Sequence, residues 1–156
     1  MRLTDILTED RVRVARPSDG IKTQADSLEA LARLLVSGTD RNAADIHKLL
    51  TDRENLQSTG IGDGVAVPHC GVEEVEKQTA AVLLCSEGVD YHSIDDRPVQ
   101  IIVGVIRPRR TTGEHLRMLA RISRLLQDGT VRRRLLEADD TTAAFAVIVE
   151  WEDGRF

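Results

Sequence analysis

Apolar residues recur at helical spacing in the first third of the chain and at strand spacing in the middle. From Thr23, the positions Leu28, Leu31, Leu34 and Leu35 share one face and Gly38 follows as a stop signal, which predicts a helix over 24–37. Asp40 stands where it can cap a second amphipathic stretch, with Ala43, Ile46, Leu49 and Leu50 on one face, running to about Arg53. The period then shortens. Val65–Val67, Thr79–Cys85 and Pro98–Ile106 are rich in β-branched residues and read as strands. The second and third are apolar on both faces, as central strands covered by helices are.

Helical spacing then returns. Thr111 and Glu114 form a T-x-x-E capping box, and Leu116, Leu119, Ile122 and Leu126 mark the expected buried stripe of the helix that follows. Two shorter helices are predicted over 130–137 and 140–150, the second opening on Asp140 or Thr141. With no repeat and no proline-rich linker, this order predicts a single α/β domain over 1–156, a sheet covered by helices.

Composition narrows the partners. The 156 residues are 41% apolar and 30% charged with a net charge of −5, the balance of a soluble globular protein without the basic footprint of a nucleic-acid binder. Proteins or small molecules are the expected partners. Only Cys70 and Cys85 occur, and MRLTDILTEDRVRV lacks the apolar run of a signal peptide, so a reducing cytoplasm is the expected location. The longest apolar runs are strand-length, too short for direct membrane insertion.

The chemistry concentrates in STGIGDGVAVPHC, Ser58 to Cys70. Gly60, Gly62 and Gly64 fall at every second residue, which matches neither phosphate-cradling glycine pattern, and the segment follows a helix and feeds a strand. A purely structural role is open: a tight turn between two short strands, with Asp63 and Gly64 at positive φ. That role leaves His69 unexplained. Pro68 is expected to end strand pairing and to hold the imidazole at a strand terminus. With an ordinary pKa of about 6.5, the ring can serve as base, ligand or phosphate acceptor.

The other histidines differ. His47 lies among polar helical neighbours and His92 in a turn-like stretch, so both read as solvated surface residues. His115 shares the face of Leu119, Ile122 and Leu126 in a first helical turn, where free amides and the dipole favour an anion. A metal site from His69, Cys70, His115 and Cys85 has poor chelate spacing, and a hydrolase using Ser58 and His69 lacks the G-x-S-x-G elbow. Neither is expected, and no cofactor is called for.

DRENLQSTGIGDGVAVPH, GVDYHSIDDRPVQIIVGVIRP and EHLRMLARISRLL together closely resemble the enzyme IIA domains of the bacterial phosphotransferase system, in the mannitol/fructose class that includes the nitrogen-type regulatory protein. The likeness runs from about Leu3 through Leu136. It implies a mixed β-sheet flanked by helices, with His69 accepting a phosphoryl group from the phosphocarrier HPr. The group would then pass to an enzyme IIB or be held as a regulatory signal. By the same resemblance His115 would hydrogen-bond the phosphoryl group and Arg53 would neutralise it with its fork of donors. Ser58 and Thr59 would offer hydroxyls, and Gly60, Gly62 and Gly64 would let amides approach.

Cys70 beside the imidazole, the acidic GVEEVEKQ and the basic RPRRTTG depart from the family pattern. Arg117, Arg121 and Arg124 are expected to form a positive strip on the exposed side of the long helix. No IIB cysteine motif and no membrane segment accompany the domain, which leans toward a regulator. A sugar-transport IIA and a binding module that is never phosphorylated are the alternatives.

Overall fold

Helices begin where a side chain can satisfy their free amides. In the computed structural model, which describes residues 1–110 and 112–156, Thr23 and Asp26 form a capping box at the start of α1 (Gln24–Leu35). Asn42, not Asp40, caps α2 (Ala43–Leu56) by accepting from the Ala44 amide; Asp40 lies too early in the chain to face the first turn. Helix α2 also passes the expected end at Arg53, which places that residue in its last turn. Asp128 and Asp140 cap α4 (Gly129–Glu137) and α5 (Thr141–Glu152). The long helix α3 spans Thr112–Gln127. Thr111, half of its expected capping box, lies outside the described residues.

Six strands form one mixed sheet: β1 (Val12–Val14), β2 (Gly60–Gly62), β3 (Val65–Ala66), β4 (His69–Val72), β5 (Thr79–Val89) and β6 (Val99–Pro108). The order is β1-β5-β6-β3-β2, with β4 also on β6. β5 and β6 run antiparallel at the centre, β1 is parallel to β5, and β3 and β4 are parallel to β6. The two central strands are the ones whose apolar residues face both ways, as their sequences predict. β1 and the 3-10 turns at Leu3–Asp5, Glu9–Arg11 and Pro17–Asp19 were not predicted, because three residues carry no periodic signal.

The sheet divides the core in two. Val82, Leu84, Ile101, Val103 and Val105 pack under α3, α4 and α5, while Ala81, Leu83, Ile102 and Ile106 pack under α1 and α2. The stripe of α3 is His115, Met118, Ile122, Leu125 and Leu126, all buried, whereas Leu116 is 64% exposed. That corrects the expected stripe: one residue along a helix turns the side chain by about 100°, so Leu116 cannot share the face of His115 and Ile122. Among the described residues no helix is long and apolar enough to cross a membrane.

Helix α1 rests directly on β6 at Gly104, where an added Cβ would lie 2.3 Å from Leu31 Cδ2 and 2.8 Å from Leu31 Cγ. A methyl group there would have to displace both. Gly104→Ala is therefore expected to destabilise the fold by about 1–3 kcal/mol, the usual cost of overpacking, read as a lower urea midpoint with an unchanged slope.

Candidate functional site

The glycine segment is a β-hairpin. β2 and β3 pair antiparallel, with Gly62, Asp63 and Gly64 at φ of 96°, 55° and 76° in the turn. The structural role foreseen for the segment is thus realised, Asp63 and Gly64 included. Gly60 has a different reason: a Cβ there would lie 2.5 Å from Ser93 Cβ, so glycine lets the hairpin press against the 92–96 loop. Its amide donates to Ser58 Oγ at 3.1 Å, and the Gly64 carbonyl accepts from the Gln100 and Ile101 amides of β6.

Pro68 interrupts strand pairing without ending it, contrary to the sequence expectation. Its carbonyl accepts from the Val105 amide at 3.0 Å, and parallel pairing continues with His69 opposite Val105, Cys70 opposite Ile106 and Gly71 opposite Arg107. His69 opens β4, so the expected position at a strand terminus stands. Alternation sends Cys70 and Val72 into the core under α1 and α2. His69 and Gly71 face the α3 side, where His115, 5% exposed, meets them. The two imidazole centroids are 5.1 Å apart, with the rings inclined at 51°.

His69 Nδ1 lies 2.8 Å from the Val67 carbonyl. A carbonyl only accepts, so Nδ1 carries the proton and Nε2 keeps its lone pair, the tautomer being assigned from this bond. Burial holds the His69 pKa below its ordinary value. The Val67 bond pulls upward, the Arg53 charge downward, Glu54 upward and Arg107 downward. His115 is pushed down to about 4 by burial first, then by the charges of His69 and Arg107, and its buried Nδ1 has no partner among the described residues. Both shifts favour the neutral ring.

Arg53 and Glu54 diverge from the end of α2. Arg53 is half-buried, donates to the Gln57 carbonyl at 3.0 Å, and its charge bears on His69. Glu54, 6% exposed, turns inward. It accepts from the Thr59 amide at 2.9 Å, the Thr59 hydroxyl, the Tyr91 hydroxyl at 3.0 Å and Gln24 Nε2 at 3.3 Å. The Thr59 hydroxyl is thereby directed at Glu54 and Tyr91. Ser58, half-buried, turns its oxygen to the Gly60 amide.

Sequence reasoning assigned no role to Glu54, Tyr91 or Arg107. Glu54 continues the inward spacing of Ile46 and Leu50 on α2, and Arg107 continues the Val103, Val105 alternation on β6; those periodicities were the available signals. Tyr91 had none.

Other expectations shift. Arg121 is not part of an open basic strip: it pairs with buried Glu152 at 2.7 Å and lies 5.6 Å from the Trp151 ring centre, while Arg117 and Arg124 are exposed. His92 is exposed as expected, but His47 is half-buried, its Nε2 without a partner among the described residues. Cys70 and Cys85 are both buried, and burial raises each thiol to about 11. Among the described residues no three His, Cys, Asp or Glu side chains gather as a metal site.

The His115 shift has a consequence for stability. The unfolded imidazole takes a proton near 6.5 and the folded one near 4, so between these values the unfolded chain binds more protons. Stability is expected to fall as pH drops from 6.5 toward 4, with no further loss from this group below that. Urea midpoints across the window should decline less steeply in His115→Gln, and an imidazole NMR titration should show His115 still neutral at pH 5.5.

Residues 5–151 match the family model described as phosphoenolpyruvate-dependent sugar phosphotransferase system, EIIA 2. The nitrogen regulatory protein of Pseudomonas aeruginosa is 34% identical over 156 residues, covering 99% of each chain. A fructose-specific EIIA component of the phosphotransferase system from Haloferax volcanii is 31% identical, covering 96% of this chain and 98% of its own. The crystal structure of the nitrogen regulatory protein IIA-Ntr from Neisseria meningitidis superposes with a TM-score of 0.82 at 28% identity, covering 92% of this chain and 97% of the other. The hairpin and both imidazoles lie within residues 5–151, and the chain belongs to the EIIA 2 family of the sugar phosphotransferase system.

Proposed function

We propose that this protein is a phosphoryl-transfer regulator of the IIA-Ntr kind, which accepts a phosphoryl group on His69 from an HPr-like phosphocarrier. The observation that carries the assignment of His69 is its Nδ1 bond to the Val67 carbonyl at 2.8 Å, which leaves Nε2 as a neutral nucleophile beside a second neutral ring. The likeness to nitrogen regulatory proteins supports the regulatory role. A sugar-transport role, relaying the group to an enzyme IIB, is the second reading, favoured by the fructose-specific relative.

His69 Nε2 attacks phosphorus in line as the bond to the carrier's imidazole breaks. The new phosphoimidazole keeps its Nδ1 proton, directed at the Val67 carbonyl, and the carrier's ring leaves neutral with its own proton. No net proton moves. Arg53 neutralises the incoming group, and His115 offers a hydrogen bond to it. Ser58, Thr59 and the glycines at 60, 62 and 64 shape the adjoining backbone, with Glu54 holding Thr59 in place.

Leu56, Ile61, Ile94 and Leu116 are exposed on segments adjoining the site: the end of α2, the hairpin, the loop bonded to Gly60 and the turn of His115. They supply an apolar rim for a protein partner. Phosphorylation adds a charge of about −2 at His69, which lets a cytoplasmic target distinguish the two forms.

Phosphoenolpyruvate, enzyme I and HPr, mixed with the purified protein and followed by intact mass, should yield an acid-labile phosphoryl adduct. His69→Ala should give none, and Arg53→Ala should slow its formation on the order of a hundredfold. An adduct on His69→Ala would remove that residue as acceptor. No adduct on the wild type, with a carrier that phosphorylates a known IIA, would leave a binding module.

A further inference from the structure

We infer that Arg107 is a second cation of the phosphoryl site, holding an oxygen of the phosphoryl group as it passes from the carrier to His69. This rests on the phosphoryl-transfer reading and adds to it a residue outside the glycine-histidine motif. Strand register is the first support. His69 pairs with Val105 and Gly71 with Arg107, so on the parallel pair β4/β6 the arginine stands one pleat beyond the imidazole, on the same face. A Cβ on Gly71 would lie 3.4 Å from Arg107 Nη1, which places the guanidinium over the glycine two residues after His69.

Unmet hydrogen-bonding capacity is the second support. Arg107 Nη1 donates to the Pro108 carbonyl at 3.2 Å and the Arg109 carbonyl at 3.0 Å, which fixes the plane of the guanidinium. Its Nε is buried and without a partner among the described residues. His115 Nδ1, buried and without a partner among the described residues, faces the same situation. Buried polar atoms ordinarily have partners, and an anion beside His69 would answer the arginine donor.

Charge balance agrees. Arg109 is paired with Glu73 at 3.0 Å, whereas Arg107 enters no ion pair among the described residues. Arg53 approaches His69 from the end of α2 and Arg107 from the end of β6, and the field of Arg107 reaches both imidazoles. Two guanidinium groups on separate elements can bracket three equatorial oxygens, while Arg107 itself takes and gives no proton.

The test is the single-turnover rate of adduct formation from phosphorylated HPr, measured against carrier concentration for wild type, Arg107→Met, Arg107→Lys and the exposed neighbour variant Arg110→Ala. Unfolding midpoints check that each variant is folded. Arg107→Met is expected to lower the rate at saturating carrier by about ten- to a hundredfold, with Arg107→Lys recovering part of the loss and Arg110→Ala at the wild-type rate. If Arg107→Met does not fold, Arg107→Lys carries the test, since it keeps the stem and charge and loses the fork; a wild-type rate for it would then overturn the proposal. An unchanged saturating rate in Arg107→Met, with or without a weaker half-saturation, overturns the role of Arg107 and leaves His69 as acceptor. Failure of the wild type itself with a competent carrier overturns both.

Discussion

Strand β6 is the constraint on which the site depends. One edge is occupied by β5, while the other is shared in turn by β3 and β4. Because the same strand bonds both segments, the hairpin and His69 are indexed to one ruler. Pro68 has no N–H to give β6, so the ladder breaks between β3 and β4, yet its carbonyl still accepts from Val105 and the register carries across the break unchanged. The chain beyond β6 leads into α3, so one strand sets the positions of both imidazoles and of Arg107.

The electrostatics follow from that packing. Burying two histidines near two arginines disfavours their protonated forms, and a neutral ring is what a nucleophile requires. Under the proposed function, desolvation would serve reactivity at this site. Glu54 supplies the opposing charge from below, and its four donors come from α1, the loop before the hairpin and Tyr91. A buried carboxylate with that many partners is costly to disturb, and it fixes where α2 delivers Arg53.

Legibility in the sequence tracked the range of the interaction. The long helices and central strands announced themselves by period, and His115 was legible as an inward residue because α3 is amphipathic. Leu116 was misplaced because Leu116 and Leu119 are themselves three apart, which offers a second, false helical phase. Asp40 and Asn42 are both good cap residues, and only the backbone decides which one precedes the first turn. Thr59 shows the limit: its hydroxyl meets Tyr91, 32 positions away, and no local pattern encodes that pairing. The hairpin was legible in its turn residues, whereas Arg107 required the β4/β6 register.

Under the proposed function, the cations around His69 also constrain how a partner can read the phosphoryl group. A dianion bracketed by Arg53 and Arg107 is largely neutralised locally, and what field remains is screened beyond ~8 Å at physiological salt. Its distant electrostatic signature is small. A target that distinguishes the two forms must therefore touch the phosphoryl group itself, with Leu56, Ile61, Ile94 and Leu116 as the exposed apolar residues on adjoining segments. Apolar rim contacts give affinity that is indifferent to charge, and the phosphoryl group gives the difference on which specificity depends. The carrier must reach the same imidazole to deliver the group. Carrier and target then compete for one face, so occupation by a target also shields His69 from the next exchange.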